Sequence, residues 1–506
     1  MKESSIKELQ ILMESGELSS KQLVDIYLQK IEEIDKGGPK INSIIEINPD
    51  VIDIANNLDE ERKNGNVRGL LHGIPILIKE NINTADQMMT TAGSSALKGN
   101  YASKDAFLIK NLREAGAIIL GKTNLSEWAN FRSTKSVSGW SSRGGQTRNP
   151  YALDRNPCGS SSGSAVAVTS NLCSVAVGTE TDGSIVCPSQ TNSIVGIKPT
   201  LGLVSRTGII PVAHSQDTAG PMARTVEDAA ILLSFLVGQD SFDSITQNDV
   251  TDSFIDYTNF LDKNGLKNSK IGVARKYFDF HPKVDKIMEE AILVMKNNGA
   301  KIIDPVEIEL PEDLDDSEYE VLLYEFKHDL NKYLEKVRPE VSVHSLKDII
   351  EYNKNNAEIM MPYFNQEEME KAQEKGSITD ENYLKALEKI HTASRKEGID
   401  KILTDYKLDA IIAPTGGPAW LIDWVTGDYH GGGSSSLAAM SGYPIITVPA
   451  GYVFGLPVGI SFFSGAFSEP ILLKLAYSFE QATKVRKPPQ FLSSVVFSKK
   501  SKKESE

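Results

Sequence analysis

Short apolar runs alternate with amphipathic segments along most of the chain. The runs at 74–78, 117–120, 271–274 and 410–413 are β-prone, and the segments between them repeat apolar residues at helical spacing. Interleaved strands and helices are typical of a sheet that helices cover on both faces. The pattern therefore predicts an α/β fold with a largely covered sheet.

Two helices are predicted at the start of the chain. Ser5 with Glu8, and Ser19 with Gln22, fit the capping box, in which a hydroxyl and a carboxylate or amide satisfy free N–H groups at a helix start. Behind the second box, apolar residues recur at helical spacing as far as the Gly-Gly-Pro sequence at 37–39. We expect this second helix to bury one face and to end there.

The segment 429–468 contains no Asp, Glu, Lys or Arg and could be mistaken for a membrane span. Pro444, Pro449, Pro457 and many glycines interrupt it, whereas a transmembrane helix needs about 20 consecutive apolar residues. We therefore expect buried strands joined by tight turns.

Composition changes between residues 241 and 401. Residues 304–320 are acid-rich, and 324–337 and 382–390 carry apolar residues at helical spacing below a charged surface. This part is expected to form a helical insertion or cap. It is either a solvated outer layer without a chemical role or a lid that shapes access of the substrate.

Composition and charge exclude several classes of protein. With 40% hydrophobic and 24% charged residues, the 506-residue chain can bury a large core, which excludes disorder throughout. The net charge of −14 argues against a nucleic acid or an anionic membrane as the main partner, because both require clustered Lys and Arg. The N-terminus lacks the apolar core of a signal peptide, so we expect a cytoplasmic protein.

The three cysteines, Cys158, Cys173 and Cys187, are too few for a disulfide framework in a chain of this length. Their spacing fits no metal-ligand motif, so no metal site is expected. We expect all three side chains to pack rather than react.

Small residues cluster in two turns that could carry chemistry. A Gly/Ser run at 159–165 leads directly into an apolar stretch, which is typical of an ordered loop that opens a buried helix, and a second turn lies at 178–185. A serine on such a turn can expose its hydroxyl while nearby N–H groups converge on an oxyanion. This arrangement favours a serine nucleophile for acyl transfer.

A serine nucleophile needs a base that removes its proton, and the candidates in this sequence are the histidines and Lys79. Each of the seven histidines is expected to be a surface or packing residue. Lys79 directly follows the apolar run at 74–78. Its amine could reach the surface or pair with Glu80, or the whole side chain could be buried. Burial would lower its pKa and provide a neutral amine as a general base. Spacing alone leaves these alternatives open.

Several ordered blocks together resemble the amidase signature family. They cover most of the chain apart from 241–401 and comprise Gly73–Asn81, Gly159–Ala165, Gly178–Ile185, Val195–Thr200, Gly220–Ala229, Ala413–Thr415 and Thr447–Gly451.

The resemblance implies a Ser-cisSer-Lys triad. In this sequence Ser184 matches the nucleophile, Ser160 matches the serine that follows a cis peptide bond, and Lys79 matches the base. The implied reaction is hydrolysis of an amide through an acyl-enzyme, without a metal or an organic cofactor.

The same resemblance assigns the residues around the triad. Gly159 and Ser161 match supporting or substrate-binding positions. The oxyanion hole would consist of the backbone N–H groups of Thr181, Asp182, Gly183 and Ser184.

The resemblance also implies the amidase signature fold, an α/β fold with a central mixed β-sheet covered by helices and with a helical insertion. We interpret the whole chain, 1–506, as a single amidase domain. Its parts are N-terminal helices (1–65), the amidase signature core (66–240), the helical insertion or cap (241–401), the C-terminal part of the core (402–496) and a small basic tail (497–506).

Two positions depart from the common pattern of the family. Most members have a second glycine where Asp182 stands and a glycine where Cys158 stands. The segments 180–188 and 456–463 are similar to the bacterial peptide amidase branch, which removes the terminal amide of C-terminally amidated peptides. We therefore expect a small or peptidyl amide as substrate. The alternatives are the glutaminase subunit of a tRNA-dependent amidotransferase and a catalytically inactive amide-binding protein.

The expected partner is this amide substrate, with no nucleic acid and no membrane, and the chain is expected to be a monomer or a homodimer. The acyl specificity would depend on pocket side chains from distant segments. Four aromatic residues could line such a pocket or could equally belong to the core, namely Trp128, Phe131, Trp420 and Trp424.

Overall fold

The computed structural model describes residues 2–496, and the expected tail at 497–506 lies outside them. The strands are β1 (Ile44–Ile47), β2 (Pro75–Lys79), β3 (Ile118–Thr123), β4 (Trp140–Ser141), β5 (Gly145–Gln146), β6 (Val175–Glu180), β7 (Val195–Lys198), β8 (Thr218–Ala223), β9 (Lys270–Val273), β10 (Lys301–Ile303), β11 (Ala410–Pro414), β12 (Ile445–Val453) and β13 (Leu456–Phe463). Eleven of them form a mixed sheet with the strand order β1-β3-β2-β6-β8-β7-β12-β13-β11-β9-β10, and β4 and β5 pair separately.

Helices surround this sheet. They are α1 (Ile6–Glu14), α2 (Ser20–Lys30), α3 (Val51–Lys63), α4 (Phe107–Glu114), α5 (Ser162–Thr169), α6 (Val186–Thr191), α7 (Val226–Leu236), α8 (Pro282–Asn297), α9 (Leu314–Leu334), α10 (Leu346–Asn355), α11 (Ala357–Met360), α12 (Glu367–Glu374), α13 (Glu381–Ser394), α14 (Asp400–Tyr406), α15 (Ser436–Ser441) and α16 (Glu469–Thr483). The predicted α/β class is confirmed.

The two predicted N-terminal helices are present with their capping boxes. The Ser5 hydroxyl accepts from the Glu8 N–H while the Glu8 carboxylate accepts from the Ser5 N–H, and Ser19 and Gln22 do the same for α2. After α2 the chain continues through one π-helical segment, Ile31–Lys36, before it reaches Gly37. Local side-chain chemistry thus determines both helix starts.

The strands in the middle of the sheet are buried along their whole length. Every residue of β2, β3 and β6 is buried, and so is every residue of α5. A strand that is covered on both faces needs apolar side chains at successive positions, since neither face meets water. This requirement explains the unbroken apolar runs that predict these strands.

The segment that could be mistaken for a membrane span forms α15, β12 and β13, as expected of buried strands. Most residues of β12 and all of β13 are buried. Across residues 2–496, none of the helices combines the length and the apolar character that crossing a membrane requires.

Helices α9, α10 and α12 form an outer layer that shares an apolar cluster with residues such as Trp128 and Ile210. Leu323, Phe326 and Leu330 of α9 pack in this cluster with Ile349 of α10 and Met369 of α12. This layer corresponds to the helical insertion expected from the sequence.

The expected insertion at 241–401 is not helical throughout, and this part of the expectation needs correction. β9 runs parallel to β11, and β10 runs parallel to β9, so both strands extend the main sheet at one edge. The apolar run at 271–274 is the reason, because it can be buried only by continuing the sheet beyond β11. The outer helical layer begins later, with α9.

Strand pairing determines where a site can form. β2 pairs in parallel with β3 on one side and with β6 on the other, so the carboxyl ends of these strands lie at one edge of the sheet. Lys79 is the last residue of β2, and Glu180 is the last residue of β6. Sheets of this kind bind ligands outside the carboxyl ends of their parallel strands.

Candidate active site

Lys79 is buried at the end of β2, with a relative exposure of 0%. Its Nζ donates to Ser160 Oγ at 2.7 Å, to Thr179 Oγ1 at 2.8 Å and to the Thr179 carbonyl at 3.1 Å. The side chain therefore neither reaches the surface nor pairs with Glu80. Of the alternatives open from the sequence, burial is the one found.

Burial also determines the protonation of this lysine. It lowers the pKa of Lys79 to about 7, although the negative charges of Asp217 and Glu180 act in the opposite direction. A large fraction of Lys79 is then neutral near pH 7 and can accept a proton.

Ser160 lies in the loop before α5, and the Gly159–Ser160 peptide bond is cis, as the resemblance implies. The Ser160 carbonyl accepts from the Ser126 N–H at 3.1 Å. A Cβ atom at position 159 would collide with Ser126 Oγ, so a side chain there would displace this hydroxyl, which accepts from the Gly139 N–H. Gly159 thus allows the loop to pack against Ser126.

Ser161 connects the Gly/Ser loop to β6. Its hydroxyl donates to the Thr179 carbonyl at 3.0 Å and accepts from the Thr179 N–H at 3.2 Å. Its own N–H donates to the Ser184 carbonyl at 3.1 Å. The backbone of Ser161 therefore joins the Ser160 loop directly to the turn that carries Ser184.

Ser184 lies in the turn between β6 and α6, with 7% of its surface exposed. Gly183 has a φ of +75°, which favours glycine and turns the chain sharply before the serine. Within residues 2–496 the Ser184 hydroxyl makes no hydrogen bond, and the same holds for the N–H groups of Asp182, Gly183 and Ser184. These groups are free to meet a ligand.

Asp182, which replaces a glycine of the common pattern, points toward α15. Its carboxylate accepts from the Ser435 hydroxyl at 2.5 Å and from the Ser436 hydroxyl at 2.7 Å. Burial raises the pKa of Asp182, and these two hydrogen bonds partly oppose the rise. These hydrogen bonds thus connect the turn at 181–184 to the start of α15.

Two carboxylates that the sequence did not indicate position this turn, one on buried Glu180 and one on partly buried Asp217. Glu180 Oε2 accepts from the N–H groups of Ile185 and Val186 at 2.6 and 2.9 Å. Asp217 accepts from the Thr181 hydroxyl at 2.6 Å, and burial raises its pKa to about 6. Their positions could have indicated this role, since Glu180 lies within the block Gly178–Ile185 and Asp217 lies three residues before the block Gly220–Ala229.

The expectation that all three cysteines only pack is wrong for two of them. Cys158 and Cys187 form a disulfide with a Cα–Cα distance of 6.0 Å. The fold brings the loop that carries Ser160 next to the first turn of α6. The two cysteines are 29 residues apart in the sequence, and this separation alone does not predict the contact. Cys173 is buried as expected, and burial raises the pKa of its thiol to about 12.

The four aromatic residues that could line a pocket or belong to the core do not lie together in one pocket. Trp128 and Phe131 belong to the apolar cluster of the outer helical layer. Trp424 stacks on Tyr363 with ring centroids 3.9 Å apart. Trp420 lines a cavity of about 570 Å³, and its Nε1 donates to the Asp428 carboxylate at 3.0 Å.

The fold places a buried lysine that is hydrogen-bonded to a serine beside the carboxyl ends of parallel strands in a mixed sheet, and a second serine lies on the neighbouring turn. The chain belongs to the amidase signature family, because the family model described as Amidase matches residues 22–473.

Relatives and solved structures agree with this assignment. A probable amidase of Arabidopsis thaliana is 42% identical over 503 residues, which cover 97% of this chain and 92% of that protein. The native peptide amidase from Stenotrophomonas maltophilia has a TM-score of 0.91 and 47% identity, and the match covers 97% of this chain and 99% of that one. One component of the glutamyl-tRNA(Gln) amidotransferase from Thermotoga maritima has a TM-score of 0.68 and 26% identity, with 95% of each chain covered.

The family and these structures establish an enzyme that hydrolyses amides, with the amidase signature fold expected from the sequence. The overall resemblance identified from the sequence blocks is confirmed.

Proposed function

We propose that the protein is a serine-dependent amidase that hydrolyses a carboxamide C–N bond through an acyl-enzyme. The proposed substrate is a C-terminally amidated peptide or a similar small amide, and the products are the free acid and ammonia. One observation carries the proposal: the buried Nζ of Lys79, with a pKa lowered to about 7, donates to Ser160 Oγ at 2.7 Å.

In the proposed first step, neutral Lys79 accepts a proton from Ser160 as Ser160 accepts one from Ser184. Ser184 Oγ then attacks the amide carbonyl carbon and forms a tetrahedral intermediate. The proton returns through Ser160 to the amide nitrogen, the C–N bond breaks, and ammonia leaves. Water attacks the acyl-enzyme through the same relay, which releases the acid and restores Ser184.

The negative charge on the carbonyl oxygen would be stabilised by the backbone N–H groups of the turn at 181–184. Free donors in a rigid turn are suited to this task, because they need no reorganisation when the charge forms. The turn is held on both sides, by Glu180 through the start of α6 and by Asp182 through Ser435 and Ser436.

The likeness to peptide amidase supports an amidated peptide as substrate. The chain matches that enzyme more closely, in TM-score and in identity, than it matches the amidotransferase component. An inactive amide-binding protein has less support, because Lys79, Ser160 and Ser184 are all retained and Lys79 is bonded to Ser160.

The proposal is tested by ammonia release from a panel of amides. The panel contains amino-acid amides, C-terminally amidated dipeptides, free glutamine and a fatty amide. Ser184→Ala serves as the inactive variant. Ser189→Ala is the matched control, because Ser189 lies in α6 and its buried hydroxyl has no hydrogen-bond partner within the described residues.

Release from amidated dipeptides that Ser184→Ala abolishes and Ser189→Ala retains would support the proposal. Activity on glutamine alone would favour an ammonia-supplying component of a larger enzyme instead. A folded Ser184→Ala variant with full activity would remove Ser184 from the role of nucleophile. No release from any amide would contradict the proposed substrate class.

A further inference from the structure

Three potential metal ligands lie together next to the triad. The sulfurs of Cys158 and Cys187 and one ring nitrogen of His430 are all within 4.8 Å of one another. Cys158 is buried, Cys187 is partly exposed and His430 is exposed, so one side of the group meets solvent. The mechanism proposed above uses none of these side chains.

The disulfide is not the only link that holds the two cysteines close. The Pro157 carbonyl accepts from Thr191 Oγ1 at 2.7 Å and from Asn192 Nδ2 at 2.9 Å, which joins the Cys158 loop to the end of α6. Ser161 adds the backbone hydrogen bond to Ser184. These bonds do not depend on the bond between the sulfurs, so they keep the two side chains adjacent after reduction.

His430 is held near the cysteines by a separate network. Asp428 accepts from Asn156 Nδ2 at 2.9 Å and from Trp420 Nε1 at 3.0 Å. Asn156 in turn accepts the Cys158 N–H at 2.8 Å through its own side-chain oxygen. The His430 ring also contacts Trp420 edge to face, with centroids 4.7 Å apart. A chain of contacts thus runs from the His430 ring through Trp420, Asp428 and Asn156 to the backbone of Cys158.

Two thiolates and one imidazole form a ligand set that suits Zn²⁺. Reduction by a dithiol transfers two electrons and two protons to the disulfide, which yields two thiols and the cyclic disulfide of the reductant. Each thiol then loses its proton as it binds the metal. Three protein ligands leave the fourth position of a tetrahedral ion for water.

We propose that Cys158, Cys187 and His430 form a binding site for Zn²⁺ or a similar thiophilic divalent cation when the disulfide is reduced, and that the disulfide closes this site. Metal binding by itself does not depend on the amidase function proposed above.

The site also has a consequence that rests on the proposed function. The Cys187 N–H donates to the Gly183 carbonyl at 2.8 Å, which links one ligand to the turn that carries Ser184. A metal that pulls on Cys187 and Cys158 therefore acts on both serine-bearing segments. We expect bound Zn²⁺ to slow the reduced amidase about tenfold or more, and a chelator to reverse the effect.

The binding test uses Co²⁺ as a probe, because its absorption reports thiolate ligands and tetrahedral geometry without any assay of activity. The full-length protein is reduced, freed of reductant without oxygen and titrated with Co²⁺. We expect one equivalent to bind with thiolate-to-cobalt absorption, and Zn²⁺ to abolish this signal. The oxidised protein should show no such absorption.

Variants identify the ligands. Cys158→Ser and Cys187→Ser should each reduce the thiolate-to-cobalt absorption, and His430→Ala should weaken binding about tenfold or more, since even groups that only orient a ligand cost 10–100-fold. Cys173→Ala is the matched control and should bind like the wild type, because Cys173 is buried outside the group. His430 lies on the surface, so its replacement tests the site without disturbing the core.

Two results would overturn the metal site. One is reduced wild-type protein, intact by circular dichroism, that gives no thiolate-to-cobalt absorption. The other is equal Co²⁺ affinity in His430→Ala and wild type. If Co²⁺ binds as expected but the amidase is inactive toward every amide before metal is added, the proposed function fails while the metal site stands.

Discussion

Lys79 Nζ and Ser160 Oγ are joined by a 2.7 Å hydrogen bond in a region that water does not reach, since Lys79 is 0% and Ser160 1% exposed. Strand β2 delivers the lysine and the loop before α5 delivers the serine, so the contact depends on packing between distant parts of the chain. The same burial that excludes water lowers the pKa of the lysine. Burial thus both excludes water from the hydrogen bond between Lys79 and Ser160 and makes Lys79 a proton acceptor near pH 7.

The kcat/KM for amide hydrolysis should rise with pH, and this rising limb of the pH profile should be centred near pH 7. The neutral amine is the form that accepts a proton, and its fraction increases as pH rises through the pKa of Lys79, which is about 7. At pH 6 we expect roughly a tenth of the maximal kcat/KM. A pH profile on an amidated dipeptide measures this limb.

Lys79→Met should lower kcat about 10²–10⁴-fold, the usual contribution of a general base, and should remove the limb. Retention of both full activity and the limb in this variant would mean that another group accepts the proton.

Asp217→Asn should move the limb to lower pH. The negative charge of Asp217 raises the pKa of Lys79, so removing this charge favours the neutral amine at a lower pH. The matched control is Asp228→Asn. Burial raises the pKa of Asp228 to about 6 as well, but its carboxylate accepts from the Ile6 N–H and its charge is not among those that shift the pKa of Lys79. A shift to higher pH in Asp217→Asn, or an equal shift in both variants, would contradict the assignment.

Glu180→Ala should destabilise the protein by about 1–3 kcal/mol and lower kcat. The substitution leaves the buried N–H groups of Ile185 and Val186 without an acceptor, and the start of α6 positions Ser184. Glu180→Gln retains an acceptor oxygen, so this variant should lose less stability and less kcat than Glu180→Ala. Thermal or urea unfolding together with kcat measures the difference. Equal losses in the two variants would argue against this role for the carboxylate.

The parts of the fold that local chemistry determines could be predicted from the sequence. Ser5 and Glu8 are three residues apart and satisfy each other's backbone, so their capping box needs no distant partner. The run at 74–78 predicts a buried strand, because only a strand covered on both faces needs apolar side chains at successive positions. Motif blocks then suggested Lys79, Ser160 and Ser184, although only the fold brings the first two into contact.

What could not be predicted depends on strand register and loop packing. Asp217 comes next to Thr181 because β8 pairs antiparallel with β6, which sets Thr218 opposite Glu180. The disulfide depends in the same way on the contact between the Ser160 loop and α6. Neither contact leaves a periodic signal, since each joins single residues rather than a repeated pattern.

An ion pair between the core and the outer helical layer should make stability depend on pH. His214 Nδ1 lies 2.8 Å from Asp329, and Nε2 lies 3.4 Å from Glu325, and both carboxylates belong to α9. Burial lowers the pKa of His214, and the charge of Arg206 does the same, but Asp329 and Glu325 outweigh them and raise it overall. The folded protein thus binds the proton more tightly than the unfolded chain.

It follows that protonated His214 stabilises the fold fully below the unfolded pKa of about 6.5, and that this contribution is lost as pH rises through the higher folded value. His214→Gln should therefore lower the Tm of the protein at pH 5.5 and change it much less at pH 8.5. His328→Gln is the control, because His328 is an exposed residue of the same helix α9 and forms no ion pair within residues 2–496. Thermal unfolding of both variants at the two pH values measures the effect. A larger loss for His214→Gln at pH 8.5 than at pH 5.5 would show that the neutral imidazole, not the charged one, holds the layer in place.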